Sequence, residues 1–487
     1  MKLVYDVQDK PKLSQTLIFA FQQMIAIMAA TLLVPMLMSG YAILGNPENT
    51  LSFDPAAALF GAGIGSIVYI LCTKWKSPVF LGSSFTFLGA YEAVIGANYG
   101  YWGVIIGITL AGLVYVVLAL IVKATGSGWV NKLMPAVIIG PIVALIGLSL
   151  SGTATSWMAG NGNPSGYSLV TILVGVVTFL AIVVASVKGG KTVKLIPFIV
   201  GIGAGYALAL VLTLIGMAAN VDALKILSFQ SFQDAFVPFR FTSILDVPKF
   251  TFFKAIQTNG QYTLDAAAIG NIALTFVPIA VVELAQHIAD HKNLGSIIGR
   301  DLITEPGLDK TLIGDGVGSI VGGFFGGAAN TTYGESIGCV AITGNASIIT
   351  IFTAAVGCMI LAFFTPFVAV INSIPKCVMG GACVALYGFI AVSGLQMLRQ
   401  VDLGNSKNLF VVSAILVTGI GGLTLQFGSN ATTGGALLTV SSLATALIVG
   451  IITNLIVNDG KLTADETRTS ISEAVDNMGK LKDSKKK

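Results

Sequence analysis

The residues from Val281 to Asp290 carry several polar side chains inside an apolar run, which reads Val-Val-Glu-Leu-Ala-Gln-His-Ile-Ala-Asp. Side chains three and four positions apart share one face of a helix. Glu283, Gln286 and Asp290 therefore form one stripe, and His287 lies four residues after Glu283. Two carboxyls, an amide and an imidazole grouped within a membrane segment are typical of proton relays. The alternative is a metal site, although the run has neither a second cluster nor a cysteine partner.

Other polar residues also interrupt apolar runs, notably Asp315 and Glu335. A carboxyl inside a membrane costs about 2.5–3.5 kcal/mol on insertion scales, so each is a functional candidate by default. The alternative is a structural carboxyl that caps or pairs inside a helix bundle. This alternative applies to Glu283 as well, and most strongly to Asp315, which lies in a glycine-rich stretch. His291 follows at the end of its segment, where we expect it to be solvated.

The composition identifies the kind of protein that must position these groups. Of 487 residues, 54% are hydrophobic and 10% are charged, against roughly 25% charged in soluble domains. Since a membrane span takes about 20 apolar residues, we expect an all-α polytopic membrane protein. The five cysteines form no CxxC pair and the basic residues form no stripe. We therefore expect no metal, no cofactor and no nucleic-acid partner, and the lack of a nucleophile–base pair argues against an enzyme.

Apolar runs separated by polar loops predict fourteen membrane segments, and the loop 218–265 divides them into two sets of seven. Sets with an odd number of segments have opposite orientations in the membrane, which is the pattern of an inverted repeat. The predicted segments are 14–38, 56–72, 78–90, 102–123, 133–150, 168–187, 193–217, 266–288, 309–326, 328–343, 347–370, 374–393, 408–425 and 436–456.

The basic residues predict the orientation of these segments. If the N-terminus is cytoplasmic, the loops on its side hold twelve lysines and arginines, whereas the short loops on the other side hold only Lys376. Cytoplasmic loops are normally the basic ones. We therefore expect a multi-pass protein of the plasma (inner) membrane with both termini in the cytoplasm.

The third segment of each half is abnormal. Residues 78–90 form a short, glycine-interrupted run, and residues 328–338 are shorter still and more polar. Such segments at matching positions of two halves are the best sequence indication of a transporter's binding site. Their backbone cannot be helical throughout, so its free polar groups must face protein or substrate rather than lipid. A re-entrant segment with a purely structural role is the alternative.

Several short motifs carry a family resemblance that extends from about Lys12 to Asn458. The motifs are Asn330-Thr-Thr-Tyr-Gly-Glu-Ser-Ile-Gly338, Ala341-Ile-Thr343, Leu81-Gly-Ser-Ser-Phe-Thr-Phe87, Val34-Pro35, Met379-Gly-Gly381 and Leu386-Tyr-Gly388. They resemble the uracil permease branch of the nucleobase–ascorbate transporters, also called nucleobase:cation symporter-2. Xanthine and urate members usually carry Gln and Asn where this chain has Glu335 and Ser336, which favours the uracil branch.

The resemblance implies a fold of fourteen segments in a 7+7 inverted repeat, in which the third and tenth segments begin as short antiparallel strands. It also implies a core domain that holds the substrate and a gate domain that packs against the core and forms a homodimer. The implied division is 1–13 N-terminal tail, 14–123 core (segments 1–4), 133–217 gate (segments 5–7), 218–265 extracellular loop, 266–370 core (segments 8–11), 374–456 gate (segments 12–14) and 457–487 charged cytoplasmic tail.

The resemblance also implies substrate-binding residues. Glu335 matches the tenth-segment carboxylate that hydrogen-bonds the base, and Gly334 and Phe85 match positions whose backbone contacts it. The remaining positions implied for the pocket are Tyr333, Ala30, Tyr387 and Ser336.

Three departures from the family pattern affect coupling. Gln286 stands where uracil permeases have the substrate-binding Glu, Asp290 stands at their second His, and Gln22-Gln23 replaces a Gln-His pair. Gln offers a donor and an acceptor to a base, but it does not carry a proton. We therefore expect Glu283, with His287 beside it, to replace the missing carboxyl as proton carrier.

Together these patterns predict a secondary transporter that imports a nucleobase, most readily uracil, by proton symport with alternating access. Asp290 and Glu335 are further candidates for proton coupling, and Na⁺ is the alternative coupling ion. The alternatives for the function are a xanthine or hypoxanthine permease of the same family, an uncoupled nucleobase facilitator or channel, and an anion exchanger. An anion exchanger tends to present helix N-termini and a basic residue to its substrate, so Glu335 argues against it.

Overall fold

The computed structural model describes residues 3–39, 51–126, 135–160, 167–190, 193–262, 264–399, 401–427 and 438–458. The predicted tail 457–487 lies outside the described residues from position 459 onward. The first half of the described chain forms α1 Leu13–Met38, α2 Pro55–Cys72, β1 Leu81–Ser83, α3 Leu88–Gly96, α4 Gly100–Thr125, α5 Ala136–Ser149, α6 Ser151–Met158, α7 Leu169–Lys188, α8 Pro197–Ala219, α9 Gln230–Phe236 and α10 Thr251–Gln257.

The second half repeats the succession of a long helix, a short strand and a short helix. Its elements are α11 Ala266–Ile298, α12 Leu308–Gly326, β2 Asn330–Thr332, α13 Gly334–Thr343, α14 Ile348–Leu361, α15 Thr365–Asn372, α16 Lys376–Leu398, α17 Ser406–Ile420, β3 Leu425–Phe427, β4 Leu438–Val440 and α18 Ser442–Val457.

Eight helical stretches in the described part of the chain are long and apolar enough to cross a membrane, and three shorter apolar helices accompany them. The chain is a multi-pass membrane protein, as its composition predicts, whereas the count of fourteen segments stays a prediction. One predicted segment, 347–370, is interrupted between α14 and α15. Pro366 lies in the first turn of α15, and a proline lacks the N–H that would continue the preceding helix.

The predicted segment 266–288 is too short, because α11 continues to Ile298. Gly299 ends the helix in the left-handed conformation, with φ 69°, which glycine adopts without strain. The polar residues that end the apolar pattern near Asp290 therefore lie within the helix. Their partners, given below, come from other helices.

Helix packing divides the described helices into two groups. The first contains α1, α2, α4, α11, α12 and α14, with α2 and α12 at its centre, and the second contains α5, α7, α8, α16, α17 and α18. A Cβ on Gly65 would lie 2.9 Å from the carbonyl oxygen of Gly318, so the α2–α12 contact requires glycine. Small residues permit such close approach between membrane helices.

The two short strands cross at the centre of the first group. β1 and β2 pair antiparallel, with Gly82 opposite Thr331, as the resemblance implies. Neighbouring helices bind the strands' outer polar groups: Ser66 of α2 accepts a hydrogen bond from the Leu81 N–H at 2.8 Å, and Asn330 donates to the Gly61 carbonyl at 2.7 Å. The strands are thus satisfied by protein, as backbone at membrane depth must be.

The N-terminal residues attach to one end of the first group. The Val4 N–H donates to the Gly344 carbonyl after α13 at 2.8 Å, and Gln8 donates to the Trp75 carbonyl after α2 at 2.5 Å. Arg300, after α11, pairs with Asp6 at 2.6 Å. The ends of α2, α11 and α13 therefore lie on one side of the molecule, called the N-terminal side below.

Candidate substrate-binding site

A cavity of about 320 Å³ lies where the crossing strands and α11 face the second helix group. One wall comes from β1, β2, α11 and α13, and the other from α5, α8 and α16. The lining residues are Ser84, Phe85, Thr86, Val143, Ile146, Phe198, Gln286, Ala289, Asp290, Asn293, Thr331, Tyr333, Gly334, Glu335, Leu386, Phe389, Ile390, Ser393 and Met397.

Glu335 enters this cavity from the first turn of α13 and is half-buried. The first N–H groups of a helix have no partner inside the helix, and the positive end of the helix dipole stabilises a carboxylate there. Gly334 precedes it, and a Cβ added to Gly334 would meet no atom within 4 Å. The backbone at Gly334 is therefore open to the cavity beside the Glu335 carboxyl.

Phe85 enters the cavity from the opposite strand, two residues after β1 ends. Its ring is buried and lies edge-on to Tyr387, with ring centroids 5.7 Å apart. The Phe85 N–H has no backbone acceptor among the described residues, so it is available to a ligand. Tyr387 is buried and does not line the cavity, so it supports the Phe85 ring from behind.

Tyr333 lines the cavity and also joins the two strands. Its hydroxyl donates to the Ser83 carbonyl at 2.9 Å, and its ring covers the face of Gly82, where a Cβ would collide with it. Only glycine at position 82 leaves room for this aromatic ring between the strands.

On α11, Gln286 and Asp290 line the cavity, and Asn293 extends it toward the N-terminal side. The Asp290 carboxylate accepts a hydrogen bond from the Thr332 hydroxyl at 2.9 Å. Because a helix rises about 1.5 Å per residue, the cavity follows α11 for roughly 10 Å from Gln286 to Asn293.

Glu283 and His287 do not line the cavity, so the structure divides the predicted stripe. A helix turns by about 100° per residue, which spreads the four side chains over an arc of about 100°. Gln286 and Asp290 occupy one edge of the arc and face the cavity. His287 occupies the other edge and faces α12, where it pairs with Asp315 at 2.6 Å.

Glu283 lies between these edges and is 1% exposed. The hydroxyls of Ser84, Thr86 and Thr331 face its carboxyl, although none of them meets strict hydrogen-bond geometry with either carboxyl oxygen. Those three residues line the cavity themselves. Glu283 is therefore one layer of hydroxyl side chains behind the cavity surface.

The expectation that His291 is solvated is wrong. Its side chain is fully buried, and its Nε2 lies 2.6 Å from the Tyr69 hydroxyl. His287 is equally buried and also contacts the Thr311 hydroxyl at 3.1 Å. Asp315 is buried and pairs with His287 inside the bundle. This contact agrees with the alternative in which Asp315 is a structural carboxyl.

Two further residues of the predicted pocket lie away from the cavity. Ala30 is 2% exposed within α1. Ser336 is a fully buried residue of α13, and Gln23 of α1 donates a hydrogen bond to its hydroxyl. Gln23 belongs to the Gln22-Gln23 pair, so this pair contacts α13. In the described ranges, no group of three His, Cys, Asp or Glu side chains is placed to hold a metal ion.

Residues 14–428 match the model of the Permease family. The chain belongs to this family. Its members are transporters rather than enzymes, and so is this chain. The uracil permease of Bacillus caldolyticus is 38% identical over 459 residues, covering 93% of this chain and 95% of that one. The uracil permease of Escherichia coli (strain K12) is 32% identical, covering 94% and 97%. The resemblance to the uracil permeases is thus confirmed along nearly the whole permease.

Solved structures show a similar fold at low sequence identity. The transmembrane domain of the cyanobacterial bicarbonate transporter BicA gives a TM-score of 0.55 at 13% identity, covering 92% of this permease and all of that chain. The murine anion transporter Slc26a9 in its inward-facing state gives 0.55 at 11%, covering 92% and 69%. These similarities concern the fold alone.

Sequence reasoning missed most of the wall that the second helix group contributes. Val143, Ile146, Phe198 and Met397 are apolar, and in a sequence they are indistinguishable from residues that face lipid. One motif indicated this wall. Leu386-Tyr-Gly388 contains the lining residue Leu386 and directly precedes the lining residue Phe389.

Proposed function

We propose that this permease imports a nucleobase, most readily uracil, across the plasma (inner) membrane by proton symport with alternating access. The observation that carries the proposal is the cavity at the strand crossing, where the Glu335 carboxylate, the Gln286 amide and free backbone N–H groups converge. The uracil permeases that cover nearly the whole chain support the same substrate.

The cavity complements the hydrogen-bonding groups of a pyrimidine base. Uracil presents two ring N–H donors and two carbonyl acceptors around a flat ring. Glu335 accepts from a ring N–H, Gln286 offers both a donor and an acceptor, and the N–H groups near Phe85 and Gly334 donate to the carbonyls. Phe85 and Tyr333 flank the ring with aromatic surface.

The charge of the cavity distinguishes this proposal from anion exchange. Its described lining residues include two carboxyl groups, Glu335 and Asp290, and no Lys, Arg or His. Glu335 also occupies the helix N-terminus that would otherwise attract an anion. Such a cavity favours a neutral substrate that carries N–H donors.

Alternating access follows from the two walls. Glu335, Gln286 and Phe85 belong to elements of the first helix group, whereas Val143 and Phe198 belong to the second. Movement of the first group against the second would carry the polar residues past an apolar wall. In this conformation the cavity extends along α11 toward the N-terminal side, which we assign to the cytoplasm with both termini. We further propose a homodimer formed through the second group.

Proton coupling is proposed for Glu283. It is buried, and the hydroxyl side chains that face its carboxyl also line the cavity. His287 lies one turn after Glu283 on α11 and is paired with Asp315. We therefore propose His287 as a neighbour of the proton carrier rather than as the carrier. Asp290 and Glu335 line the cavity, where they are the other carboxyls able to exchange protons.

Counterflow in proteoliposomes tests the substrate. Vesicles loaded with unlabelled uracil, xanthine or hypoxanthine should accumulate labelled uracil only when uracil is inside. Exchange with xanthine or hypoxanthine instead would establish the purine alternative.

Glu283→Gln tests the coupling. We expect this variant to retain counterflow, which needs no net proton movement, and to lose accumulation driven by an acidic exterior. If it still concentrates uracil, Glu283 is not the carrier. If the unaltered protein never concentrates uracil under any proton or sodium gradient, the uncoupled facilitator, which Gln286 favours, is correct.

A further inference from the structure

A second cavity, of about 200 Å³, lies on the opposite side of the strand crossing from the N-terminal side. It is bounded by α3, by the end of α5 and start of α6, by α11 at Ile279 and by the start of α18. The last residues of α3 lead to Tyr99, whose hydroxyl accepts a hydrogen bond from Asn271 in the first two turns of α11. Because α11 ends on the N-terminal side, this cavity faces the other side.

The two cavities share a thin partition. Phe85, Thr86 and Ile146 line both of them, and all three side chains are buried. Phe85 comes from the first helix group and Ile146 from the second, so relative movement of the groups would separate them. The partition therefore closes one end of the candidate site while the other end extends toward the N-terminal side.

The second cavity contains a polar set of its own. Glu92 is exposed on α3 and is the one charged side chain among the described lining residues. No hydrogen bond or ion pair occupies it within the described ranges. Besides Thr86 of the partition, four hydroxyl side chains accompany it, namely Ser149, Thr153, Ser441 and Ser442.

We propose that this cavity is an entry subsite, where a neutral nucleobase binds before it passes the Phe85–Ile146 partition. The inference rests on the proposed nucleobase transport and adds a second binding position to it. Glu92 accepts a hydrogen bond from a ring N–H of the base, the hydroxyl side chains bind its carbonyl groups, and Phe85 presents apolar surface to the ring from this side.

The chemistry of the subsite parallels that of the main site. Each places one unpaired carboxylate and neutral hydrogen-bonding groups on opposite sides of the same aromatic residue. A base that leaves Glu92 therefore finds an equivalent acceptor, Glu335, beyond the partition. A weak first site of this kind raises the local concentration of substrate at the gate without changing affinity at the second.

Protection of an introduced thiol tests the subsite directly. Thr153→Cys is made in the full-length protein together with Glu335→Ala, which disables the main site, and is labelled with a membrane-impermeant thiol reagent. The parent chain, whose described cysteines are buried or half-buried, is the labelling control. Rising uracil concentrations should still slow labelling of Thr153→Cys, and adding Glu92→Gln should remove this protection.

Transport kinetics provide the second measurement. Glu92→Gln alone should lower kcat/KM for uptake about three- to tenfold, which corresponds to the loss of one hydrogen bond. Equilibrium affinity for uracil should stay within about twofold of the unaltered protein. Asp222→Asn is the matched control, because Asp222 is 91% exposed in the loop after α8 and lies outside both cavities.

The outcomes separate the subsite from the proposed function. Absence of uracil transport by the unaltered protein would overturn the function, and the subsite with it. Transport by the unaltered protein without protection of Thr153→Cys, or with equal loss of binding and uptake in Glu92→Gln, would overturn the subsite alone.

Discussion

The two strand–helix units that meet at the cavity are alike in geometry and different in chemistry. β1 and α3 have three and nine residues, and β2 and α13 have three and ten. Both strands hydrogen-bond to residues of α2, through Ser66 and Gly61. The first unit presents Phe85 and no acidic residue in the first turn of its helix, whereas the second presents Glu335 there.

This difference shows which part of the site the scaffold determines. The N-terminus of a helix attracts negative charge, and α13 begins at the cavity with Gly334 and Glu335. Under the proposed function, the Glu335 carboxyl in the first turn of α13 offsets that preference. The fold positions the site, and side chains at a few positions select the substrate.

Removing the carboxyl from the second unit should have the largest effect. Charge-assisted hydrogen bonds contribute about 1.5–3 kcal/mol, so Glu335→Ala should weaken uracil binding roughly 10- to 100-fold. Glu335→Gln should also fail, because the amide exchanges an acceptor for a donor. Equilibrium binding to purified protein measures both variants, and near-normal affinity in either would remove Glu335 from the site.

The strand crossing itself can be disrupted at Gly82. Gly82→Ala forces Tyr333 away, because the new methyl group collides with its ring, and overpacking of this kind typically costs about 1–3 kcal/mol. We expect a lower melting temperature and a loss of transport. Gly338→Ala, on the helix that follows the second strand, is the control, since a Cβ there meets no atom within 4 Å. Equal destabilisation by both variants would show that the crossing tolerates a side chain.

The strand crossing and the contacts between helices show which parts of the structure could be predicted from the sequence. The short, glycine-interrupted runs at 78–90 and 328–338 predicted segments that are not helical throughout, and the structure has the strands β1 and β2 there. Helical periodicity also placed Gln286 and Asp290 together. It gives the angle of a side chain on its helix but not the neighbour it meets.

Two histidines have partners from distant parts of the chain that the sequence did not predict. His287 turns to Asp315, 28 positions away, and His291 to Tyr69, 222 positions away. No local pattern encodes such pairs. The apolar wall of Val143 and Ile146 was missed for a different reason, since its residues have the same composition as a surface that faces lipid.

The aromatic side of the first unit should contribute less than the carboxyl of the second. Phe85→Leu keeps apolar volume and the backbone N–H but removes the ring face, which is worth about 0.5–1.5 kcal/mol beyond its area. We expect uracil affinity to fall roughly two- to tenfold, with counterflow retained. Tyr387→Phe, behind Phe85, keeps the ring contact and should bind uracil normally. A loss in Phe85→Leu as large as in Glu335→Ala would show that the two units contribute equally.

The smallest effect is expected from a hydroxyl on the second strand. Thr332 donates to the Asp290 carboxylate at 2.9 Å, whereas its register partner on the first strand, Leu81, has no polar side chain to offer. Thr332→Val keeps the branched shape and removes the donor. Because Asp290 lines the cavity, water can replace the lost hydrogen bond, so uptake kcat/KM should fall only about two- to fivefold.

Thr109→Val is the matched control for this change, since the Thr109 hydroxyl donates only to the Ile105 carbonyl of its own helix at 2.8 Å. Uptake by the two variants is compared at equal protein amounts and across a range of external pH. If Thr332→Val changes uptake no more than Thr109→Val, Asp290 is held by α11 alone and the second strand acts on the site only through Glu335. A selective effect of Thr332→Val would show that the two units differ functionally in their strands as well as in the first turns of their helices.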